Sequence, residues 1–131
     1  MLKSLNLRIL VLGLSIAVLS VSCGREPEAG IAVSGLAEAG PVCPVETNPP
    51  DPACAPRPVA GAVVVAVAES GDRFETTTGP DGRFSFDLAA GRYEIIAEPA
   101  NGLMGTPEPI EIEVVSAPID VGVLMYDTGI R

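Results

Sequence analysis

Three cysteines and seventeen carboxylates are the first residues in this sequence to weigh for chemistry, because none of its 131 residues is histidine. Without His, neither a Ser/His/Asp nor a Cys/His pairing of nucleophile and base can form. A pair of carboxylates could still do acid/base work, but no run of cleft-forming residues singles out such a pair. Asp81 could offer oxygens to Ca²⁺. It stands in Gly79-Pro80-Asp81-Gly82, however, where Pro presets φ, Gly permits φ > 0 and Asp bonds its own backbone, so its role is expected to be turn geometry. The cysteines are Cys23, Cys43 and Cys54. A tetrahedral zinc site cannot be filled by two Cys and no His without carboxylates, so no metal is expected. The residues therefore predict no catalytic group and no cofactor.

The charge is one-sided. Seventeen acids face eight bases, and two of those bases, Lys3 and Arg8, lie in the first eight residues, leaving about eleven net negative charges on the remainder. That remainder contains no Lys. A basic footprint for nucleic acid is missing, which excludes that class of partner. Acidity of this kind repels anionic surfaces and favours cations or basic partners, although its plainest effect is solubility.

Met1–Arg8 is short and basic, and Ile9–Val21 is apolar but for Ser15 and Ser20. That run falls short of the roughly 20 residues of a membrane span and has the length of a signal-peptide core. The following Leu19-Ser20-Val21-Ser22-Cys23 resembles a lipobox, in which a bacterial lipoprotein is acylated on Cys and cut just before it. Ser22 suits the residue before the cut. Ser20 departs from the pattern, which places Leu at that position. Ordinary signal peptidase is the other route, because Ser20 and Ser22 form a small-x-small pair. If Cys23 carries lipid, Cys43 and Cys54 are left to pair; if it does not, an exported chain keeps an odd thiol. The expected organisation is a lipoprotein signal peptide over residues 1–22, an acidic tether over 23–30, and one domain over 31–131. Lipidation falls on Cys23 and a disulfide joins Cys43 to Cys54. The expected location is the cell envelope, membrane-anchored, with secretion as the alternative.

The elements that would carry these residues read as strands. Ile31, Val33 and Gly35 alternate with Ala32 and Ser34, a weak first strand. Gly40–Pro58 holds seven prolines and two cysteines, a density that no helix or central strand tolerates, so a loop stapled by Cys43 and Cys54 is expected there. Val59–Ala68 is Val and Ala on both faces, as in a central strand covered on both sides. Arg73–Thr78 places Phe74, Thr76 and Thr78 on one face. Arg83–Leu88 turns Phe84, Phe86 and Leu88 inward, with all three Phe of the chain assigned to the core. Arg92–Glu98 turns Tyr93, Ile95 and Ala97 inward. Ile110, Ile112 and Val114 face in. Ile119–Tyr126 points Ile119, Val121, Val123 and Met125 one way. Seven short strands with turn signals and no helical period predict an all-β fold, a transthyretin- or Ig-like sandwich, with a closed barrel as runner-up.

Three stretches in this order resemble the carboxypeptidase regulatory-like domain, a seven-stranded transthyretin-like sandwich. They are Pro58-Val59-Ala60-Gly61-Ala62-Val63-Val64-Val65, the Thr78-Gly79-Pro80-Asp81-Gly82-Arg83-Phe84 hairpin, and the Leu88-Ala89-Ala90-Gly91-Arg92-Tyr93 corner. The flanks resemble small stand-alone bacterial members. The resemblance implies fold rather than activity, since each motif is a folding device. In carboxypeptidases this module accompanies a catalytic domain, and none is seen here.

Asp81, Gly82, Gly91 and Tyr93 are thus read as structural turn and corner residues. The position of Tyr93, entering a strand after Gly91, suggests a tyrosine corner with its hydroxyl on nearby backbone. Glu94, Glu98, Glu111 and Glu113 could form an acidic stripe, or be the wet face of a sheet. Leu103 and Met104 could form a contact at a loop tip, or cap the core. The expected function is that of a non-enzymatic envelope lipoprotein module. It would meet the membrane through its lipid and bind an unidentified envelope protein or polysaccharide, or serve a structural role. A secreted carbohydrate- or protein-binding sandwich is the alternative. A transthyretin-like hydrolase of 5-hydroxyisourate would demand paired histidines and a Tyr-Arg-Gly-Ser ending, which this chain lacks.

Overall fold

The computed structural model describes Gly30–Arg131. The expected signal peptide, Cys23 and all of the expected tether but Gly30 lie outside the described residues. Eight strands form two sheets of a sandwich: β1 (Ile31–Gly40), β2 (Arg57–Pro58), β3 (Val63–Ala68), β4 (Arg73–Thr77), β5 (Arg83–Leu88), β6 (Gly91–Ala97), β7 (Ile110–Val114) and β8 (Ile119–Asp127). A single 3-10 turn, Pro52–Cys54, interrupts the proline-rich loop. No helix among the described residues is long and apolar enough to cross a membrane.

One sheet runs β4-β3-β6-β7, all antiparallel. The other is built around β1. Along one edge of β1 lie β5, paired from Ile31–Leu88 to Leu36–Arg83, and then the short β2, paired at Glu38 and Ala39. Ala37 joins the two, donating its N–H to Gly82 O at 2.8 Å and accepting from Val59 N at 2.9 Å. The opposite edge of β1 carries β8, in parallel, from Val33–Ile119 to Gly40–Asp127. The first strand, weak in its alternation, is thus ten residues long and central to its sheet. Small inward residues, Gly35, Ala37 and Ala39, let the sheets approach, and a methyl group at Gly35 would collide with the Phe84 ring and with Val121 Cγ2 at 2.7 Å.

The core between the sheets holds Val33, Val64, Phe84, Phe86, Leu88, Tyr93, Ile95, Val114, Leu124 and Tyr126. Val59–Ala62 is a turn before β3 rather than part of that strand, and the two-residue β2 is the strand beyond the expected seven. The Thr78–Phe84 segment is not a hairpin within one sheet, because β4 and β5 belong to different sheets and the turn between them crosses the sandwich. Thr78, buried, organises that crossing: its hydroxyl donates to Val59 O at 2.6 Å and accepts from Ala62 N at 2.9 Å.

Two inward assignments are corrected. Phe74 lies on the edge strand β4 at 41% exposure, stacked edge-on to Tyr93 at 6.2 Å; an edge position leaves no neighbour strand to cover it. In β8, Val121 and Ile119 pack on the core, but Val123 and Met125 turn outward at 48% and 43% exposure, and Leu124 and Tyr126 take the inward places. The pairing skips between Ser34–Asp120 and Leu36–Val123. Gly122, at φ 81°, supplies the extra residue, held by Asp120 Oδ1 accepting from its N–H at 2.8 Å. An inserted residue reverses every side chain that follows it.

Candidate functional site

The register sorts the connections onto two poles. At the pole where the chain enters, Gly30 lies against Asp87. The 69–72, 89–90 and 115–118 turns cluster there, because Ala68 pairs with Tyr93 and Gly91 with Val114. At the far pole lie the 41–56 loop, the 79–82 turn, the 98–109 loop and the tail after β8. Of the residues singled out by sequence, Gly91 and Tyr93 sit at the first pole and Cys43, Cys54, Asp81 and Gly82 toward the second. They do not converge on one site.

At the entry pole Tyr93 Oη donates to Ala89 O at 2.7 Å, tying the corner between the sheets. At the far pole Asp81 Oδ1 accepts from Arg83 N at 3.1 Å, and the Arg83 guanidinium stands 3.7 Å from Asp81 Oδ2. Gly82, at φ 77°, brings its Cα against Ala37 O and Pro58, where no side chain fits. Cys43 and Cys54 are disulfide-bonded across a separation of 11 residues, and Asp51 caps the 3-10 turn leading into Cys54.

The tail and the 98–109 loop were not foreseen as a unit. Tyr126, fully buried, donates its hydroxyl to Glu98 O at 2.8 Å, and burial, then the Glu98 charge, raises its pKa. Met104 and Gly105 donate to Asp127 O. Thr128 N–H donates to Gly40 O, and its hydroxyl to Pro41 O. Arg131 grips the Asp127 carboxylate with Nη2 at 2.9 Å and Nη1 at 3.2 Å. That grip, with the Gly129 N–H, holds the Asp127 carboxyl down at about 2 and raises the guanidinium pKa. No reading of the sequence pointed to these contacts. Leu103 packs on the core, whereas Met104 is 79% exposed.

The carboxylates meet on the outer face of the β4-β3-β6-β7 sheet. Glu94 lies directly opposite Glu111, an unfavourable like-charge pair, and Glu113 lies opposite Arg92. With Glu69 and Val67 they line an open cleft of about 450 Å³. Glu98 is drawn away to Arg73, 3.9 Å off. Arg73 stands opposite Val67 and Glu98 beside Val63, so the pair reaches diagonally over Val65. Val65 is only 1% exposed although it is outside the core cluster. A second slot of about 360 Å³ is lined by Ser34, Thr76, Thr77, Ser85 and Arg83. Neither depression sets a nucleophile against a base. No group of three or more His, Cys, Asp or Glu among the described residues is placed to hold a metal ion.

The sandwich, its crossing turn and its tyrosine corner meet a match in sequence: the model of the carboxypeptidase regulatory-like domain fits residues 53–119. The chain belongs to the carboxypeptidase regulatory-like domain family. The matched part takes in β2–β7, and β1 and nearly all of β8 lie outside the matched residues. No curated protein matches the sequence. Solved structures do share the fold. The Bacillus anthracis TIE protein aligns with TM-score 0.51 and 16% identity over 74% of this chain and 17% of its own. The shaft pilin SpaA of Lactobacillus rhamnosus GG aligns with TM-score 0.50 and 10% identity over 76% of this chain and 50% of its own. A candidate carbohydrate-binding protein of Pseudomonas aeruginosa aligns with TM-score 0.49 and 14% identity over 74% of this chain and 88% of its own. The regulatory-like chain thus spans 17% of the TIE protein and half of the pilin. At such identities the likeness is one of fold alone.

Proposed function

We propose that this regulatory-like domain is a non-enzymatic lipoprotein module of the cell envelope, held to the membrane through Cys23 and serving an accessory binding or structural role. The observation that carries the reading is the cysteine arithmetic. The Cys43–Cys54 bond uses two of the three cysteines, which leaves Cys23, at the end of an apolar signal-like run, as the acylation candidate. A disulfide persists in oxidising compartments, in keeping with export. Two or three acyl chains would hold the domain firmly, at about 0.8 kcal/mol per buried CH₂, where a single chain would not. The tether over 23–30 would then keep the acidic sandwich within a few tens of ångströms of the surface, about 3.5 Å per residue at full stretch.

A clickable palmitate fed to the producing cells tests this directly. The wild type is expected to take up label and to fractionate with membranes, and Cys23→Ala to lose label while keeping the fold. Unlabelled wild-type protein free in the medium would establish the secreted reading instead.

A further inference from the structure

We propose that β1 is the strand that resists tension, and that the domain is built to transmit a pull entering the chain at Gly30 to its far pole. The inference adds a mechanical role to the anchored reading. Its geometry rests on the sandwich alone; only the source of the pull rests on the Cys23 anchor.

A first strand at a sheet edge can be peeled away, one hydrogen bond at a time. Here the first strand is the middle of its sheet. One edge is bonded to β5, then Gly82 and Val59, then β2, in an almost unbroken series from Ile31 to Ala39. The other edge is bonded to β8 from Val33 to Gly40. Axial tension on Ile31 therefore loads both ladders in shear, with many bonds sharing the force before any can break. The inward side chains add to the hold: Val33 and Ala37 are fully buried, and Gly35 lies closed in by Phe84 and Val121.

The parallel pairing with β8 sets the direction. Parallel strands start at the same end, so the chain enters β1 at one pole and leaves β8 at the other. Tension between the two flanks pulls β1 and β8 in opposite senses along their shared ladder. The far end of that ladder is fastened further, by Thr128 to Gly40 and Pro41 and by Met104 and Gly105 to Asp127. The Cys43–Cys54 bond then keeps the loop just beyond β1 from paying out if β1 yields. Both strands of this path stand at the margin of the family match or outside it. Lys is absent after Lys3, so no lysine-based isopeptide bond can lock the described strands and the hydrogen bonds carry the load.

Single-molecule force spectroscopy on the full chain, with handles at the N-terminus and after Arg131, measures the resistance. Forced unfolding is governed by the unfolding barrier rather than by equilibrium stability. The rupture force is expected to be severalfold that of the same protein held at Gly71 and Ser116, in two turns of the entry pole, a geometry that pulls across the strands and leaves the β1–β8 ladder out of shear. Reducing the disulfide should lengthen the extended chain by roughly 35 Å, given 11 steps of about 3.5 Å less the native span, without lowering the first rupture. Ile95→Ala, in the opposite sheet, should lower the melting temperature and leave the N-terminal rupture force unchanged. Equal forces in the two pulling geometries, or a force that falls with melting temperature in Ile95→Ala, would overturn the proposal. Palmitate labelling is read separately: a high rupture force with no label keeps the clamp and discards the anchor.

Discussion

Thr78 shows how much one side chain can hold. Its hydroxyl satisfies two buried backbone groups, Val59 O and Ala62 N, at the point where the chain crosses between sheets. Thr78→Val keeps the shape and orphans both groups, so a loss of about 2–6 kcal/mol is expected in urea unfolding, at about 1–3 kcal/mol per unsatisfied group. Tyr93→Phe removes one hydrogen bond, to Ala89 O, and should cost only about 1 kcal/mol by the same measurement. Asp127 gives a pH signature. Its folded pKa of about 2 lies below the ordinary 3.8 because Arg131 and the Gly129 N–H bond its charged form. A depressed carboxyl stabilises the fold above the unfolded pKa, and the contribution is lost as pH falls through the interval from 3.8 toward 2. In an NMR titration Arg131→Ala should move the Asp127 midpoint up toward 3.8, and a midpoint that stays put would show that the guanidinium is not the cause. Because the pair is exposed, the change in global stability should be slight.

Among the elements, β8 and the 41–56 loop depend most on local devices. Gly122→Val forces a β-branched residue into φ 81° at the bulge, where left-handed backbone costs an L-residue about 1–2 kcal/mol. Such a loss in chemical unfolding is expected, whereas an unchanged midpoint would mean that β8 can pair without its bulge. The bond across the loop, 11 residues apart, should add about 3 kcal/mol by restricting the unfolded chain. Reducing agent should lower the urea midpoint accordingly, and non-reducing peptide mapping should find Cys43 and Cys54 in one cross-linked fragment.

For the molecule as a whole, the described chemistry offers hydroxyls, carboxylates and arginines on open surfaces, with no nucleophile activated by a neighbouring base. The purified domain is expected to turn over neither 5-hydroxyisourate nor peptides nor esters above background. Turnover that survives repurification and disappears with one carboxylate substitution would make it an enzyme. The acidic cleft bears on stability in the opposite sense. Glu94 and Glu111 face one another across β6 and β7, so Glu94→Gln should leave stability unchanged or raise it by up to about 1 kcal/mol at low salt.

What the sequence determined by itself was everything local. Alternation over Arg83–Leu88 and Arg92–Glu98 assigned the inward faces of β5 and β6, because the two-residue period of a strand is written in consecutive side chains. Pro-Asp-Gly announced a turn through its backbone preferences, the tyrosine after Gly91 announced its corner, and the proline density of residues 40–58 argued against a helix or a central strand there, where the structure has a loop with one 3-10 turn and the two-residue edge strand β2. The tertiary structure decided what depends on partners distant in the chain. Nothing in residues 31–40 says that the strand will be bonded on both edges, since β5 and β8 arrive some fifty and ninety positions later by register. Phe74 reads as core by period, and only its place on an edge strand exposes it. Val123 and Met125 read inward by the same period, until the mismatch in length between β1 and β8 was absorbed at Gly122. A glycine in a strand marks a possible bulge, but whether an extra residue is needed is settled by the partner it must match.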